Sequence, residues 1–243
     1  MGLADSIGSW IWQQLDQAGG RGVVIGLSGG IDSATAAGLA ARALGPERVL
    51  GAIMPAHSHP QDLEHAQMAA RAFGIDPVHV DLTPVYDTLV ATLPPGNDLA
   101  MANIKPRLRM MTLYHLANTN GRLVLGTGNK TELLVGYFTK YGDGGVDLLP
   151  LAGLYKHQVR EVAREIGVPQ AIIDKPPSAG LWPGQTDEGE MGISYPELDA
   201  ILAAIERGDT AGLPQEQVAR VERMMAGSDH KRRMPPIFQP SGD

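Results

Sequence analysis

Cysteine is absent from all 243 residues. That excludes disulfides, iron–sulfur clusters, thiolate-ligated zinc and any thiol nucleophile. Aromatic residues are scarce at 5%, too few for a platform on which nucleic-acid bases stack. Basic residues are outnumbered 20 to 27, giving a formal net charge of −7, whereas a nucleic-acid surface is normally a basic face. No apolar run approaches the roughly 18 residues of a membrane-spanning helix. The start, Met1-Gly2-Leu3-Ala4-Asp5, lacks the basic beginning and apolar centre of a secretion signal. Neither nucleic acid nor membrane is therefore an expected partner, and a cytoplasmic location is expected. A hydrophobic content of 43% suffices for a sizeable core, and the length fits one α/β domain.

Leu3, Ile7, Trp10, Ile11 and Leu15 recur at the spacing of an amphipathic helix over 3–18. Strand-like runs follow at 22–27, 49–54, 78–82 and 123–125. Helical segments lie between them at 34–44, 61–73, 83–92 and 106–119, the last with Pro106 as its first residue. This alternation predicts an open, doubly wound, mostly parallel sheet covered on both faces. Residues 93–101 and 142–145 read as loops. Beyond a helix at 155–166, the Pro- and Gly-rich stretch 175–193 (Pro183 included) reads as a long irregular segment, which in a compact domain is usually functional. Ser194 and Glu197 form a capping box for a helix at 195–206, and a last helix at 215–226 precedes a basic tail from Asp229. The domain divides into an N-terminal helix (1–20), a core (22–236) and a short tail (237–243).

The most informative stretch is Gly26-Leu27-Ser28-Gly29-Gly30-Ile31-Asp32-Ser33, between the apolar run Val23-Val24-Ile25 and the Ala-rich helix. A glycine-rich turn from a buried strand into a helix N-terminus is built to hold phosphate, because backbone N–H groups can approach the anion. It is not a Walker A loop, which needs a lysine where Asp32 stands, and it fails the G-x-G-x-x-G spacing. A carboxylate beside a triphosphate repels it unless a divalent cation lies between, so Asp32 argues for Mg²⁺. A second strand-to-helix turn, Gly126-Thr127-Gly128-Asn129-Lys130-Thr131-Glu132, supplies Glu132.

Ser28-Gly29-Gly30-Ile31-Asp32-Ser33 resembles the pyrophosphate-binding loop of the N-type ATP pyrophosphatases, which cleave ATP between the α and β phosphates and adenylylate an acceptor. Further blocks are similar, in order, to the NAD synthetases. They are Asn103 to Met110, Gly136 to Leu151 with Gly153-Leu154-Tyr155-Lys156, Lys175 to Leu181, Asp187-Glu188, Gly192-Ile193-Ser194-Tyr195 and His230-Lys231-Arg232. The resemblance spans about residues 22–236 and implies an adenine nucleotide alpha hydrolase-like fold with strand order 3-2-1-4. It implies ATP-dependent amidation of deamido-NAD, with ATP bound by 26–33 and Thr127. Asp32 and Glu132 would hold Mg²⁺, and Lys156 and Ser178 would meet the nucleotide phosphates. Arg107, Lys140, Asp147, His230 and Lys231 would contact deamido-NAD, across a homodimer interface. The attached glutaminases of this superfamily release ammonia with a cysteine, so a chain without one takes free ammonia or receives it from a separate protein.

Two segments depart from the pattern. Ile53-Met54-Pro55-Ala56 offers no basic residue at the end of the second strand, Ser178 replaces a threonine, and Pro177 and Gly180 are atypical. Two other readings stay open: another ATP pyrophosphatase, such as a GMP-synthetase-like amidase, or an idle adenine-nucleotide sensor of the universal-stress type. Plainer roles also compete. Arg107, Arg109 and Lys156 are candidates for solvated surface, His230 to Arg233 for an ordinary basic tail, and His57 with His59 for a loop pair lacking a third metal ligand.

Overall fold

The computed structural model describes residues 2–182 and 184–239. Met1, Pro183 of the irregular stretch and tail residues 240–243 lie outside the described residues. Four strands, β1 (Val23–Gly26), β2 (Val49–Ile53), β3 (Val78–His79) and β4 (Leu123–Val124), form a parallel sheet of order β3-β2-β1-β4. Val23 pairs with Val49 on one side and Leu123 on the other. The expected strand order is the observed one. The outer strands are shorter than expected, and Leu125 continues β4 only as a single parallel bridge to Leu148.

Among the described residues thirteen α-helices surround the sheet. Six precede β4: α1 (Leu3–Gln17), α2 (Ile31–Leu44), α3 (Pro60–Ala72), α4 (Thr83–Thr92), α5 (Asp98–Ala102) and α6 (Ile104–Asn120). Then come α7 (Lys130–Val135), α8 (Lys156–Ile166), α9 (Gln170–Ile173), α10 (Asp187–Met191), α11 (Tyr195–Arg207), α12 (Gln215–Gly227) and α13 (Asp229–Arg232). Successive strand residues point to opposite faces. Val23, Ile25, Ile53 and Leu125 therefore pack under Ile11, Leu15, Leu39, Val159 and Val162 of α1, α2 and α8. Val24 and Val124 pack against Ala117 of α6, and Ala52 against Leu108. A separate apolar cluster joins α7, α11 and α12 through Val135, Leu198, Leu202, Val218 and Val221.

Several sequence expectations are corrected. Helix α2 starts at Ile31 rather than residue 34, so Asp32 and Ser33 lie in its first turn. Residues 98–101 of the expected loop are helical, as part of α5, because Asn97 caps them, accepting from Ala100 N at 2.8 Å. Helix α6 begins at Ile104, ahead of Pro106. The irregular stretch contains α10, capped by Thr186. Nor do residues 229–232 form a loose tail: they fold as α13, where Lys231 Nζ donates to Gly136 O (2.7 Å) and Phe138 O (2.8 Å). Arg232 donates to Leu133 O (3.1 Å) and Leu134 O (2.8 Å). The basic residues thus satisfy the carbonyls left open at the C-terminus of α7.

Two left-handed helix C-caps provide a test. Gly136 (φ 72°) carries a position where a Cβ would meet Ser228 Cβ at 2.0 Å, whereas at Gly167 (φ 84°) nothing lies within 4 Å. Gly167→Ala is expected to cost about 1–2 kcal/mol, the left-handed penalty alone. Gly136→Ala adds a collision that must displace α12–α13, so urea unfolding should show a clearly larger loss for Gly136→Ala.

Candidate functional site

The carboxyl ends of β1 and β4 feed two turns into the N-termini of α2 and α7, at the crevice where open α/β sheets bind ligands. In the first turn Gly29 takes φ 78°, and a Cβ there would meet Asp62 O at 2.2 Å. Only glycine fits that close approach. Ser28 Oγ lies 3.1 Å from Ser33 Oγ and accepts from Gly30 N at 3.3 Å, while Ser33 Oγ accepts from Ser28 N at 3.2 Å. The turn is therefore braced by its own hydroxyls. The N-cap of α2 is Gly30, so no side chain caps the helix, and its first-turn N–H groups face the crevice without such a partner.

Asp32 and Glu132, 100 residues apart, converge on one cation. Lys156 Nζ donates to Asp32 Oδ2 at 2.5 Å and to Glu132 Oε1 at 2.9 Å. Lys156 is the first residue of α8 and is only 1% exposed, which overturns the surface reading. Helix dipoles explain the arrangement. Both carboxylates lie in the favourable first turns of α2 and α7, whereas a lysine opening α8 is disfavoured and needs its partners. Asn129, fully buried, ties the two turns together: Oδ1 accepts from Glu132 N at 3.0 Å and Nδ2 donates to Asp32 Oδ1 at 2.9 Å.

A polar chain extends outward from this cluster. Tyr195 Oη donates toward Glu132 Oε1 (3.3 Å) and Asp187 Oδ2 (3.0 Å). Tyr137 Oη contacts Asp187 Oδ1 (3.1 Å) and Glu190 Oε2 (2.8 Å). Gln185 donates to Glu190 Oε2 at 2.7 Å, and its carbonyl accepts from Ser178 Oγ at 2.8 Å. Ser178 is thus engaged within its own loop and has no hydrogen bond to Lys156. Lys105 Nζ holds the same segment through Leu181 O at 2.7 Å. Lys175, also in this region, pairs with Asp62 beside Gly29.

The expected dinucleotide contacts divide into two places. Arg107 Nη2 donates to Lys140 O (3.3 Å) and Lys140 Nζ to His230 O (2.5 Å), so these three gather near Lys231. Arg107 is exposed. Asp147 stands elsewhere, accepting from Tyr114 Oη (2.9 Å) and Val124 N (2.7 Å) on the α6 side of the sheet. Thr127 sits half-buried in the β4–α7 turn with no side-chain hydrogen bond among the described residues. Arg109 is partly buried, donating to Met54 O (3.1 Å) and Ser58 Oγ (3.4 Å). It brings a cation to the end of β2, where Ile53 to Ala56 supply none. His57 pairs with Asp87 at 2.7 Å and His59 caps α3. Among the described residues no group of three or more His, Asp or Glu side chains forms a metal cage.

Sequence reasoning assigned no role to Asn129, Tyr137, Tyr195 or Asp199. The Asn129–Glu132 spacing is a capping-box signal, and Tyr195 with Asp199 stand one helical turn apart.

Burial pushes the Glu132 carboxyl above its ordinary range, Lys156 pulls it down, and Asp32 pushes it up again. For Lys156, burial favours the neutral amine, but the two carboxylates outweigh it and its pKa rises. Lysine therefore stays charged while Glu132 titrates. A carboxyl with a raised folded pKa contributes stability at low pH that is lost as pH rises through the folded value. In chelator, the metal-free wild type should thus lose thermal stability relative to Glu132→Gln as pH climbs above the ordinary carboxylate range toward 8. A constant difference across that range would refute the assignment.

A family model described as NAD synthase matches residues 3–235. The chain is 49% identical over 237 residues to the NH(3)-dependent NAD(+) synthetase of Archaeoglobus fulgidus, covering 97% of this chain and 95% of that one. Among solved structures, the NMN synthetase from Francisella tularensis superposes with TM-score 0.89 at 37% identity, covering 97% of both chains. The NH3-dependent NAD synthetase from Campylobacter jejuni superposes with TM-score 0.85 at 28% identity, covering 98% of this chain and 97% of that one. With a family model matched over nearly its whole length and relatives near half identity, the chain belongs to the NAD synthase family.

Proposed function

We propose that the crevice between β1 and β4 carries out the family's reaction, ATP-dependent amidation of deamido-NAD by ammonia, with the residues in the following roles. The observation that carries this reading is the convergence of Asp32, Glu132 and Lys156 beside the 26–33 turn. The turn and Thr127 hold the triphosphate. The nicotinate carboxylate attacks the α-phosphorus, the bond to the β-phosphate bridging oxygen breaks, and pyrophosphate leaves. Ammonia then attacks the adenylylated carbonyl carbon, AMP departs with the former carboxylate oxygen, and the new amide nitrogen releases one proton to solvent. Lys156 meets the charge growing on the α-phosphoryl oxygens, which requires it to leave the two carboxylates for the nucleotide.

The donor set fits Mg²⁺. Oxygens of Asp32 and Glu132 both reach one nitrogen within 2.9 Å, and Mg²⁺ takes one or two carboxylates plus substrate phosphates and water. When bound, the ion supplies positive charge to phosphate oxygens and offsets the repulsion of the two carboxylates. Ser178 contacts the phosphates once its loop releases the Gln185 carbonyl, so 180–192 serves as one lid and 139–146 as another, excluding water from the adenylylated intermediate. Arg107, Lys140, His230 and Lys231 bind the dinucleotide, with Asp147 as a further contact. Val85, Leu99 and Met111 on α4–α6 are 51%, 56% and 62% exposed, which supports a homodimer of twice the 25.8 kDa chain mass. Ammonia arrives free or from a separate supplier.

A second reading, formation of NMN, is favoured by the likeness to the Francisella protein of that name. Mass spectrometry of products from ATP, ammonium and either acceptor separates them. NAD from deamido-NAD, with AMP and pyrophosphate in equal amounts, is the expected result; amide formed only on the mononucleotide transfers the assignment. Removing a preorganised charge typically costs about 10²–10³ in rate. Lys156→Met is therefore expected to lower kcat by that factor with little change in the KM for ATP, and Asp32→Asn to raise the Mg²⁺ concentration needed for half-maximal rate. Retention of wild-type kcat by Lys156→Met would remove it from the chemistry.

A further inference from the structure

Helix α11 carries a polar stripe on a side that faces the protein. Ser194 caps the helix and Glu197 completes the box, which sets the register. At about 100° per residue, Tyr195, Asp199 and Glu206 then lie within about 40° of one another around the axis. Tyr195 and Asp199 are 3% and 4% exposed, beside fully buried Leu198 and Leu202. Burying a hydroxyl and a carboxylate among leucines costs stability unless each finds partners.

Those partners are not scattered. Glu206 Oε2 accepts from Lys130 Nζ and Tyr155 Oη, both at 2.6 Å. Asp199 Oδ1 accepts from Thr131 Oγ1 at 2.5 Å, and Oδ2 from His157 N at 3.0 Å with His157 Nδ1 at 2.8 Å. Tyr195 Oη reaches Glu132 Oε1. Three consecutive residues of α7, ending in Glu132, are therefore gripped one after another. At the start of α8 the residues gripped are the two that flank Lys156, the N-cap Tyr155 and the second helical residue His157. Thr131 Oγ1 closes the arrangement by accepting from Lys156 N at 3.0 Å, so one hydroxyl joins Asp199 to the lysine's own backbone. Asp199 also sets an anion against the N-terminus of α8, where it offsets the unfavourable placement of a lysine at the first helical position.

We infer that Asp199 is a positioning residue: from α11 it holds the N-termini of α7 and α8 in register, and so holds Lys156 against Glu132 and Asp32. It touches no reacting atom. Its kinetic consequence rests on the role given to Lys156 above, but its structural consequence does not.

The test reads both separately. Asp199→Asn keeps the shape and removes one acceptor oxygen. Thr131→Val removes the hydroxyl bridge and serves if the first variant folds poorly. In each, acetylation of individual lysines by acetic anhydride is followed by peptide mass spectrometry on the ligand-free protein, alongside kcat and KM. Lys156 should be modified about tenfold faster than in wild type, as local opening of α8 becomes easier. Lys105 and Lys175, whose hydrogen-bond partners are Leu181 and Asp62 rather than residues of α11, should keep their wild-type rates. Because small misplacements of a reacting constellation cost up to about 10²-fold, kcat should fall by about that order with the KM for ATP within about threefold. Unchanged Lys156 modification in the folded variants, or equal acceleration at all three lysines, overturns the inference. Faster Lys156 modification with wild-type kcat would sustain the positioning role and instead discard the catalytic role of Lys156.

Discussion

One ammonium shared by two carboxylates organises this molecule. Lys156 is buried, and a buried ammonium without partners is among the costliest arrangements a fold can contain. Asp32 and Glu132 make it tolerable, and they reach it from helices that begin at the ends of two different strands. Breaking a buried pair by removing one partner typically costs about 3–5 kcal/mol, so the geometry of the crevice is tied to the stability of the surrounding helices. The same constraint explains the sheet order. Only with β1 and β4 adjacent do the two turns open side by side, and only then can a lysine from a third helix meet both acids.

Once Glu132 has ionised the cluster is also unbalanced, with two negative charges against one positive. Helix N-termini supply part of the difference, and in the proposed reaction a divalent cation accompanying the nucleotide supplies the rest. The polar chain through Tyr195, Asp187, Tyr137, Glu190 and Gln185 runs from these acids to the loop that carries Ser178. That loop is thereby connected, through alternating hydroxyl, carboxylate and amide groups, to the groups that would face the phosphates.

Much of this was legible in the amino acids, for identifiable reasons. The glycine turn and the acid at Asp32 could be read because phosphate binding imposes a local spacing, and the alternation of strands and helices because burial imposes a period. Lys156 could be named from its resemblance block, yet its burial could not be foreseen: that depends on Asp32, which is 124 residues away. For the basic run His230 to Arg233 a solvated tail competed with dinucleotide contact, because charge runs are usually solvated. Its residues up to Arg232 are helical, and Lys231 and Arg232 reach the carbonyls at the end of α7 around Gly136. Asp199 carried no local signal beyond one turn of spacing to Tyr195, since its partners lie on two other helices. Arg109 was likewise invisible as a substitute for the cation missing at the end of β2, because the two segments meet only through the fold.

The central claim is that Lys156 is held, charged, between Asp32 and Glu132 until nucleotide draws it away. Heteronuclear NMR of the protein with ¹⁵N-labelled lysine side chains observes that ammonium directly. At pH 8 and without ligand, the account predicts a slowly exchanging Lys156 NH₃⁺ signal that is absent in Lys156→Met. It should shift when Mg²⁺ and a non-hydrolysable ATP analogue are added together. A Lys156 amine that exchanges as freely as a surface lysine, or a protected signal indifferent to the nucleotide, would contradict it.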